Sequence, residues 1–348
     1  MSRQGNVTIK DVAKRAKVSV ASASRAINGV GRISQETKDR ILKAAQELNY
    51  VPHFGARSLI TKKNNIIGVL LPDLYGEFFS EIVRGIDYAA RLGGFNILLS
   101  SYHNDENETK TAIAAMRGRV DGMVAMFPFE TDDDDLRNTL NAPMVKIANS
   151  SSKAKIPLIA IDNADGAKTA IKHLYDCGKR KIAHLSGPKN NLEASDRMRG
   201  YREAMDGLEL KTNIFEGDFR EETGFNYAPA IARLVKDGAI DAIFVGNDTM
   251  AIGLINGFKR LGIKIPDDVA LIGFDNTPVA SYITPGLSSM GVDMATLGKR
   301  AVEILKQLIN NDDDLQEEAH FTPVLFPRSS SVAKLREEEM TVLENLTF

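Results

Sequence analysis

The chain has 348 residues, of which 43% are hydrophobic and 26% charged, and its formal net charge is −2 at pH 7. It is too long for one small core and too regular for a disordered protein, so we expect several folded domains. A single cysteine, no run of 18 apolar residues and no apolar signal core argue against disulfide-rich, membrane-spanning and secreted classes.

Charge is divided unevenly along the chain. Residues 1–63 hold 13 Lys and Arg against 4 Asp and Glu, a net charge of +9, whereas the remainder carries −11. A basic N-terminal segment attracts a polyanion, and an acidic body stays away from it. This division favours nucleic-acid binding by the first sixty residues.

The N-terminal segment has apolar residues at helical spacing. Thr8 can cap a first helix. The inner face of that helix carries Ile9, Val12, Ala13 and Ala16. A second amphipathic run follows after only Lys17, Val18 and Ser19, and two helices joined by so short a turn cross steeply, as in a helix-turn-helix. A third helix, capped by Ser34, closes the small core with Ile41, Leu42, Ala45 and Leu48.

Residues 51–63 predict a hinge after these three helices. Pro52 disfavours helix at Val51 and suits a helix start just after it. The run from Ala56 to Leu59 then offers one or two helical turns, too few to be stable alone in water. We expect this helix to form on DNA, with Leu59 inserted between base pairs in the minor groove.

From residue 64 onward, strand and helix patterns alternate. The predicted strands lie at 66–71, 95–99, 122–126, 144–148, 158–161, 182–185, 214–217, 242–245 and 270–272. Repeated βα units predict parallel sheets with helices on both faces, here in two successive halves. In such sheets ligands bind outside the carboxyl ends of the strands.

Polar residues follow several of these strands. They are Asp73, Asn149, Asp162, Asn247 and Asp275, accompanied by Arg197 near a helix start and by Phe79. Carboxylates, carboxamides and a guanidinium satisfy hydroxyl groups that both donate and accept, so we expect a neutral polyhydroxylated ligand. Each Asp or Asn taken singly also fits an ordinary turn or N-cap residue, and that alternative stays open.

Several segments resemble the LacI/GalR family of bacterial transcription regulators. The N-terminal segment carries VSVASASRAIN and PHFGARSL, and the body carries PDLYGEFF, RMRGY, FVGNDTMAIG and ALIGFDNTP. The resemblance covers nearly all of residues 7–333. The chain departs from the family pattern at Ser22, Ala23 and His53, and near the expected pocket at Ala148–Asn149 and at residues 288–293.

The resemblance implies an N-terminal all-α helix-turn-helix bundle and an α/β core of two doubly wound parallel-sheet subdomains, like a type I periplasmic binding protein. The implied domains are a DNA-binding domain at 1–50, a hinge at 51–63, a core at 64–333 and a tail at 334–348. Within the core, the N-subdomain spans about 64–162 plus 292–325, and the C-subdomain about 163–291 plus 326–333.

The resemblance also assigns roles in DNA binding. Val20 and Ala21 would begin the recognition helix and face base edges, with Arg25 beside them. Phosphates and the minor groove would be contacted by the remaining positions, which are Thr8, Ser19, Ser22, Ser24, Asn28, Ala56 and Leu59. Because Val and Ala donate no hydrogen bonds, we expect apolar contact with a thymine methyl and a guanine read by Arg25.

In the core, Arg197, Asn247 and Asp275 match effector-binding positions of the family, as do Asp73, Phe79 and Asp162. We therefore expect a sequence-specific transcriptional repressor whose operator affinity is controlled by a small-molecule effector. The expected effector is a sugar, with a purine, a nucleoside or another metabolite as the alternative. The expected partners are a pseudo-palindromic double-stranded DNA operator and a second copy of the chain. The expected location is the bacterial cytoplasm, on the nucleoid when operator is bound.

Two other classes compete with this interpretation. A periplasmic sugar-binding protein would share the core fold, but it would need a signal sequence. A cytoplasmic carbohydrate enzyme would need a catalytic constellation, and the sequence contains no GxGxxG, GxxxxGK[ST] or HExxH motif. We expect no catalytic residues, no cofactor and no metal site.

Overall fold

The computed structural model describes residues 7–29, 31–51, 63–103, 105–149, 155–312 and 318–332. The chain divides into two compact units, Met1–Asn65, here called the head, and Ile66–Phe348, here called the core. The predicted hinge contacts of Ala56 and Leu59 and the tail at 334–348 lie outside the described residues.

Three short helices form the head: α1 (Ile9–Ala16), α2 (Val20–Asn28) and α3 (Gln35–Glu47). The Ser19 hydroxyl accepts a hydrogen bond from the backbone N–H of Ser22 at 3.1 Å, and Ser34 caps α3 in the same way. These caps satisfy N–H groups that the first turn of a helix leaves unpaired. The buried core of the head consists of Val12, Ala13, Ala16, Ala23, Ala26, Ile41 and Ala44.

One residue of the expected apolar stripe points elsewhere. Leu42 is 44% exposed, whereas its neighbour Ile41 is fully buried. Successive helical residues are about 100° apart, so only one of the two can face the core. The expectation for Leu42 was therefore wrong.

The core alternates strands and helices. Its first series is β1 (Ile66–Leu71), α4 (Glu77–Leu92), β2 (Asn96–Ser101), α5 (Glu106–Met116), β3 (Gly122–Met126), α6 (Asp133–Leu140), β4 (Met144–Asn149) and β5 (Leu158–Ile161). The second series is α7 (Asn163–Asp176), β6 (Ile182–Leu185), α8 (Leu192–Gly207), β7 (Asn213–Phe215), α9 (Glu221–Lys236), β8 (Ala242–Val245), α10 (Asp248–Arg260), β9 (Ala270–Phe274) and β10 (Ser288–Gly291). The last elements are α11 (Met294–Asn310), β11 (Glu318–Phe321) and β12 (Val324–Phe326).

The strands form two sheets of six. The first has the order β11-β5-β4-β3-β1-β2 and is parallel throughout. The second has the order β12-β10-β9-β8-β6-β7 and is parallel except that β12 runs antiparallel to β10. Helices cover both faces of each sheet, with α4 and α11 opposite α5 and α6, and α9 and α10 opposite α7 and α8. The predicted fold, a helix-turn-helix head and a core of two doubly wound sheets, is confirmed.

The chain passes between the two sheets three times. It crosses between β5 and α7, between β10 and α11, and between β11 and β12. Both sheets are therefore assembled from separated stretches of sequence. None of the described helices combines the length and the apolarity that crossing a membrane requires.

Helices α4 and α11 approach each other at two glycines. A Cβ atom built on Gly298 would lie 2.3 Å from the carbonyl oxygen of Ile82, and one built on Gly85 would lie 2.0 Å from that of Ala295. Neither distance is possible for a real side chain, so the packing of this helix pair depends on the missing Cβ atoms.

Candidate functional site

A cavity of about 360 Å³ opens where the carboxyl ends of both sheets meet. Asp73 reaches it from the loop after β1, Asn247 from the end of β8 and Asp275 from the end of β9. Aromatic rings form much of the remaining wall, namely Tyr75, Phe78, Phe79, Phe129 and Phe219. A concave site with apolar walls and a few polar groups has the construction of a small-molecule binding site.

Arg197 is the most firmly held polar group in this cavity. Its side chain on α8 is 4% exposed. The guanidinium donates to Asn163 Oδ1 at 2.8 Å, to the Gly246 carbonyl oxygen at 2.5 Å and to Asp275 Oδ1 at 3.2 Å. It also lies 3.8 Å from the centre of the Phe274 ring. Three hydrogen bonds and a stacked ring fix the guanidinium in one orientation.

Asp275 pairs with Arg197 at the end of β9. Burial raises the pKa of its carboxyl to about 6, and the neighbouring Arg197 opposes that shift. The backbone of Asp275 has φ = 105°, a left-handed conformation rarely adopted by side chains other than glycine. Strained backbone of this kind is found preferentially at functional sites.

A second buried carboxylate lies behind the cavity. Asp248 accepts a hydrogen bond from the Ser289 hydroxyl at 2.6 Å and another from the Thr277 backbone N–H at 2.8 Å. Its side chain is completely buried, and burial together with the charge of Asp275 raises its pKa to about 8. Asp248 thereby joins α10 to β10 and to the loop after β9.

The structure brings together five of the seven residues predicted for the effector site. Asp73, Phe79, Arg197, Asn247 and Asp275 all line the cavity. Two of them also serve local structure. The Asp73 carboxylate accepts from the backbone N–H of Leu74 at 2.7 Å, and Asn247 Oδ1 accepts from that of Met250 at 3.0 Å as the N-cap of α10.

Of the other two predicted residues, the structure describes the side chain of only one. Asp162 is absent from its lining and is the N-cap of α7, where its carboxylate accepts from the Asp165 backbone N–H at 3.2 Å. Asp162 therefore occupies the position of an N-cap residue, which is the alternative that the sequence left open. Asn149 ends β4, and its side chain lies outside the described part of the structure.

Several lining residues were missed by the sequence analysis. Besides Tyr75, Phe129 and Phe219 they include Asn190, Asn191, Glu193, Asp218, Arg220 and Thr249. Most lie in the loops after β6 and β7, whose course a sequence pattern does not predict. One local signal was available, because Asn191 is the N-cap of α8 and places Glu193 in its first turn.

The surface of α2 presents the residues expected to contact DNA. Val20, Ala21 and Arg25 are exposed, and Ala23 and Ala26 are buried on the opposite face. The polar positions lie beside them. Ser19 Oγ is 2.9 Å from Ser22 Oγ, Asn28 Nδ2 donates to Ser24 Oγ at 3.3 Å, and Thr8 Oγ1 donates to Asp11 at 2.7 Å. A small apolar pair next to one arginine is thus accessible on a single helix face.

Arg15 is held in place within the head. Its guanidinium lies 2.7 Å from the Glu47 carboxylate, so it forms a surface ion pair between α1 and α3. Arg25 projects from α2 and its side chain passes within 3.3 Å of the Cβ position of Gly31. Among the described residues no cluster of three or more His, Cys, Asp and Glu could hold a metal ion.

These features agree with the proteins that the chain resembles. Residues 8–53 match the model of the bacterial regulatory proteins of the lacI family, and residues 171–331 match the periplasmic binding protein-like domain. The chain is 33% identical over 315 residues to catabolite control protein A of Priestia megaterium, covering 88% of this chain and 94% of that protein. It is 34% identical to the ribose operon repressor of Halalkalibacterium halodurans, covering 86% and 89%.

A solved structure shows the same architecture. The lac repressor dimer bound to operator and the anti-inducer ONPF superimposes with a TM-score of 0.82 at 27% identity, covering 94% of this chain and 99% of that one. The chain belongs to the LacI family of bacterial transcription regulators, as its sequence motifs predicted.

Proposed function

We propose that this chain is a repressor whose affinity for an operator is set by a small neutral metabolite, bound in the cavity between the two sheets of the core. The observation that carries this proposal is Arg197, buried in the cavity wall and oriented by Asn163, Gly246 and Asp275. A buried guanidinium held this rigidly is positioned to bind a ligand without further ordering.

The chemistry of the lining favours a sugar. Asp73, Arg197 and Asp275 provide acceptors and donors that suit hydroxyl groups, and the aromatic walls suit the apolar face of a sugar ring. Two similar proteins point the same way, since one is named as a ribose operon repressor and a regulator from Enterococcus faecium contains bound ribose. A purine or nucleoside is the alternative effector, which the same experiment tests.

The head is proposed to bind one half of a pseudo-palindromic operator. Val20 and Ala21 would contact thymine methyl groups in the major groove, and Arg25 would donate to guanine O6 and N7. Because a homodimer presents two equal recognition helices, each copy would read one half-site. The phosphates are assigned to Thr8, Ser19, Ser22, Ser24 and Asn28, with the hinge residues Ala56 and Leu59 in the minor groove.

Binding in the cavity would be coupled to DNA through the angle between the two sheets. A ligand that contacts residues from both sheets favours one relative orientation of the two halves. A coupling free energy of about 1–3 kcal/mol would change operator affinity by roughly five- to 150-fold. We assign no catalytic role to any residue, and we place this regulator in the cytoplasm, where DNA and metabolites meet.

The experiment begins by selecting DNA duplexes that bind the full-length protein from a random pool. Affinity for the selected duplex is then measured by fluorescence anisotropy, with and without mono- and disaccharides and purine nucleosides. We expect a pseudo-palindromic consensus and a change of at least fivefold in Kd with one class of metabolite. A protein that binds selected and random duplexes equally under all these conditions would contradict the proposal.

A further inference from the structure

Glu193 is a buried carboxylate that the fold leaves without a partner. It lies in the first turn of α8, lines the cavity and is 7% exposed. Neither of its carboxylate oxygens accepts a hydrogen bond from another described residue. Leaving a buried acidic group unsatisfied is costly, so such a group in a binding cavity indicates a ligand.

Arg197 acts on this carboxylate but does not form an ion pair with it. Arg197 is one helical turn further along α8, and its guanidinium is already engaged by Asn163, Gly246 and Asp275. Burial accordingly raises the pKa of Glu193 to about 7, although Arg197 pulls it downward. Glu193 therefore exists in both protonation states near neutral pH, and a hydrogen-bond donor beside it would favour the carboxylate form.

The charge of the cavity limits the class of ligand that can supply this hydrogen-bond donor. Among the described residues, the lining contains four carboxylates, from Asp73, Glu193, Asp218 and Asp275, and two guanidinium groups, from Arg197 and Arg220. One guanidinium is occupied by Asp275. A phosphorylated or acidic ligand would meet excess negative charge in a partly dehydrated site, whereas a neutral ligand with several hydroxyl groups would not.

We propose that Glu193 selects a neutral sugar by accepting hydrogen bonds from two adjacent hydroxyl groups, and that it excludes sugar phosphates and sugar acids from the cavity. This inference rests on the proposed effector function and specifies its ligand class. A carboxylate with two free oxygens matches a vicinal diol, because each oxygen can accept one O–H donor.

The first test is a thermal-shift screen of the full-length protein at pH 7.5. The probes are neutral pentoses, hexoses and disaccharides, beside ribose 5-phosphate, glucose 6-phosphate, glucuronic acid and adenosine. We expect at least one neutral sugar to raise the Tm and none of the anionic sugars to do so. The inference would be overturned if an anionic sugar raised the Tm, if adenosine alone raised it, or if none of the sugars did.

The second test compares Glu193→Met with Glu203→Met. Glu203 lies on the same helix but is exposed and pairs with Lys168, so it controls for the loss of one carboxylate. For the neutral sugar that binds, Glu193→Met should raise Kd about 10- to 100-fold, as expected for lost hydrogen bonds to a charged acceptor, and Glu203→Met less than threefold. Without sugar, the Tm of Glu193→Met at pH 8 should equal or exceed that of the wild type.

A purely structural role for Glu193 would give the opposite result. The Tm of unliganded Glu193→Met would fall, and sugar affinity would stay within threefold of the wild type.

Sugar affinity of the wild type should also rise from pH 6 to pH 8, and Glu193→Gln should remove that rise. The other charged groups acting on Glu193, namely Arg197, Asp196 and Asp275, are unchanged in that variant. If a sugar binds and alters operator affinity equally in the wild type and in the Glu193 variants, that result would overturn this inference and leave the proposed function standing.

Discussion

At the scale of single residues, Arg197 and Asp275 form a buried ion pair in the cavity wall. Removing the guanidinium by Arg197→Ala leaves the buried Asp275 carboxylate without its charged partner. We expect a loss of about 3–5 kcal/mol in the free energy of unfolding, measured with urea. The double variant with Asp275→Asn should recover part of this loss, because no charge is then left unpaired. Equal stability of Arg197→Ala and the wild type would show that the pair is unimportant.

Asp248 gives a prediction about pH. Its pKa is about 8 in the folded protein and 3.8 is the reference value for an unfolded chain. Since the folded state binds the proton more tightly, this contribution to stability is complete below pH 4 and is lost as pH rises toward 8. The stability of the wild type relative to Asp248→Asn should therefore fall between pH 5 and pH 8, by up to about 1.4 kcal/mol per pH unit. Urea unfolding at pH 5, 6.5 and 8 measures this, and a constant difference would contradict it.

Arg25 and Arg15 form a matched pair for testing base reading by the head. Both are basic residues of the helix-turn-helix, but Arg15 is tied to Glu47 and Arg25 projects from the exposed face of α2. Arg25→Ala should weaken binding to the selected operator by about 1–3 kcal/mol, with little preference left at the guanine it reads. Arg15→Ala should change operator affinity less than threefold. Operator affinity is measured by fluorescence anisotropy. A larger loss of affinity for Arg15→Ala than for Arg25→Ala would contradict base reading by Arg25.

At the scale of helices and strands, the contact between α4 and α11 depends on glycine. Gly298→Ala places a methyl group against the Ile82 carbonyl oxygen and should destabilise the core by about 1–3 kcal/mol. Gly207→Ala is the control, because a Cβ atom at this end of α8 meets no atom within 4 Å. The control should leave stability unchanged or raise it by up to about 1 kcal/mol. Calorimetry measures the Tm of both variants, and equal Tm values would show that the contact between α4 and α11 does not depend on Gly298.

The elements that sequence predicts well are those whose burial is one-sided or complete over several residues. The head helices were predicted from their apolar spacing and from the caps Thr8 and Ser34, and β1, β3 and β8 from continuous apolar runs. Strands β10 and β11 contain no continuous apolar run, with the sequences SSMG and EAHF, and β12 has only three residues, so these strands were missed. The ends of β2, β4, β7 and β9 also differ from those predicted, by one to two residues.

The cavity could be located from sequence, but its composition could be predicted only in part. Residues directly after strands, such as Asp73, Asn247 and Asp275, are positioned by the sheet and therefore follow from the strand assignment. Glu193 and Phe219 reach the same space from a helix start and a loop, and their direction depends on tertiary packing. For Asp162 the effector role stays a prediction, because a polar residue after a strand can also cap the next helix, as it does here.

At the scale of the whole molecule, the asymmetric charge predicts how DNA binding responds to salt. With a net charge of +9 on residues 1–63, a head that neutralises six or more phosphates releases an equal number of counterions. Operator affinity should then fall about 10³-fold or more between 50 and 200 mM salt. The Tm shift caused by a neutral sugar should stay nearly constant over the same range. A salt-independent operator affinity would contradict binding through the basic head.

The three crossings between the sheets also govern when each half of the core can finish folding during synthesis. The head leaves the ribosome before the core, and the apolar interior formed by its described residues lies within residues 9–50. Each half of the core, in contrast, waits for its outermost strand, β11 in one and β12 in the other, both among the last parts of the chain to be synthesised. Because folding during translation proceeds from the N-terminus, a message truncated before codon 318 would yield a folded head attached to a core that lacks β11 and β12.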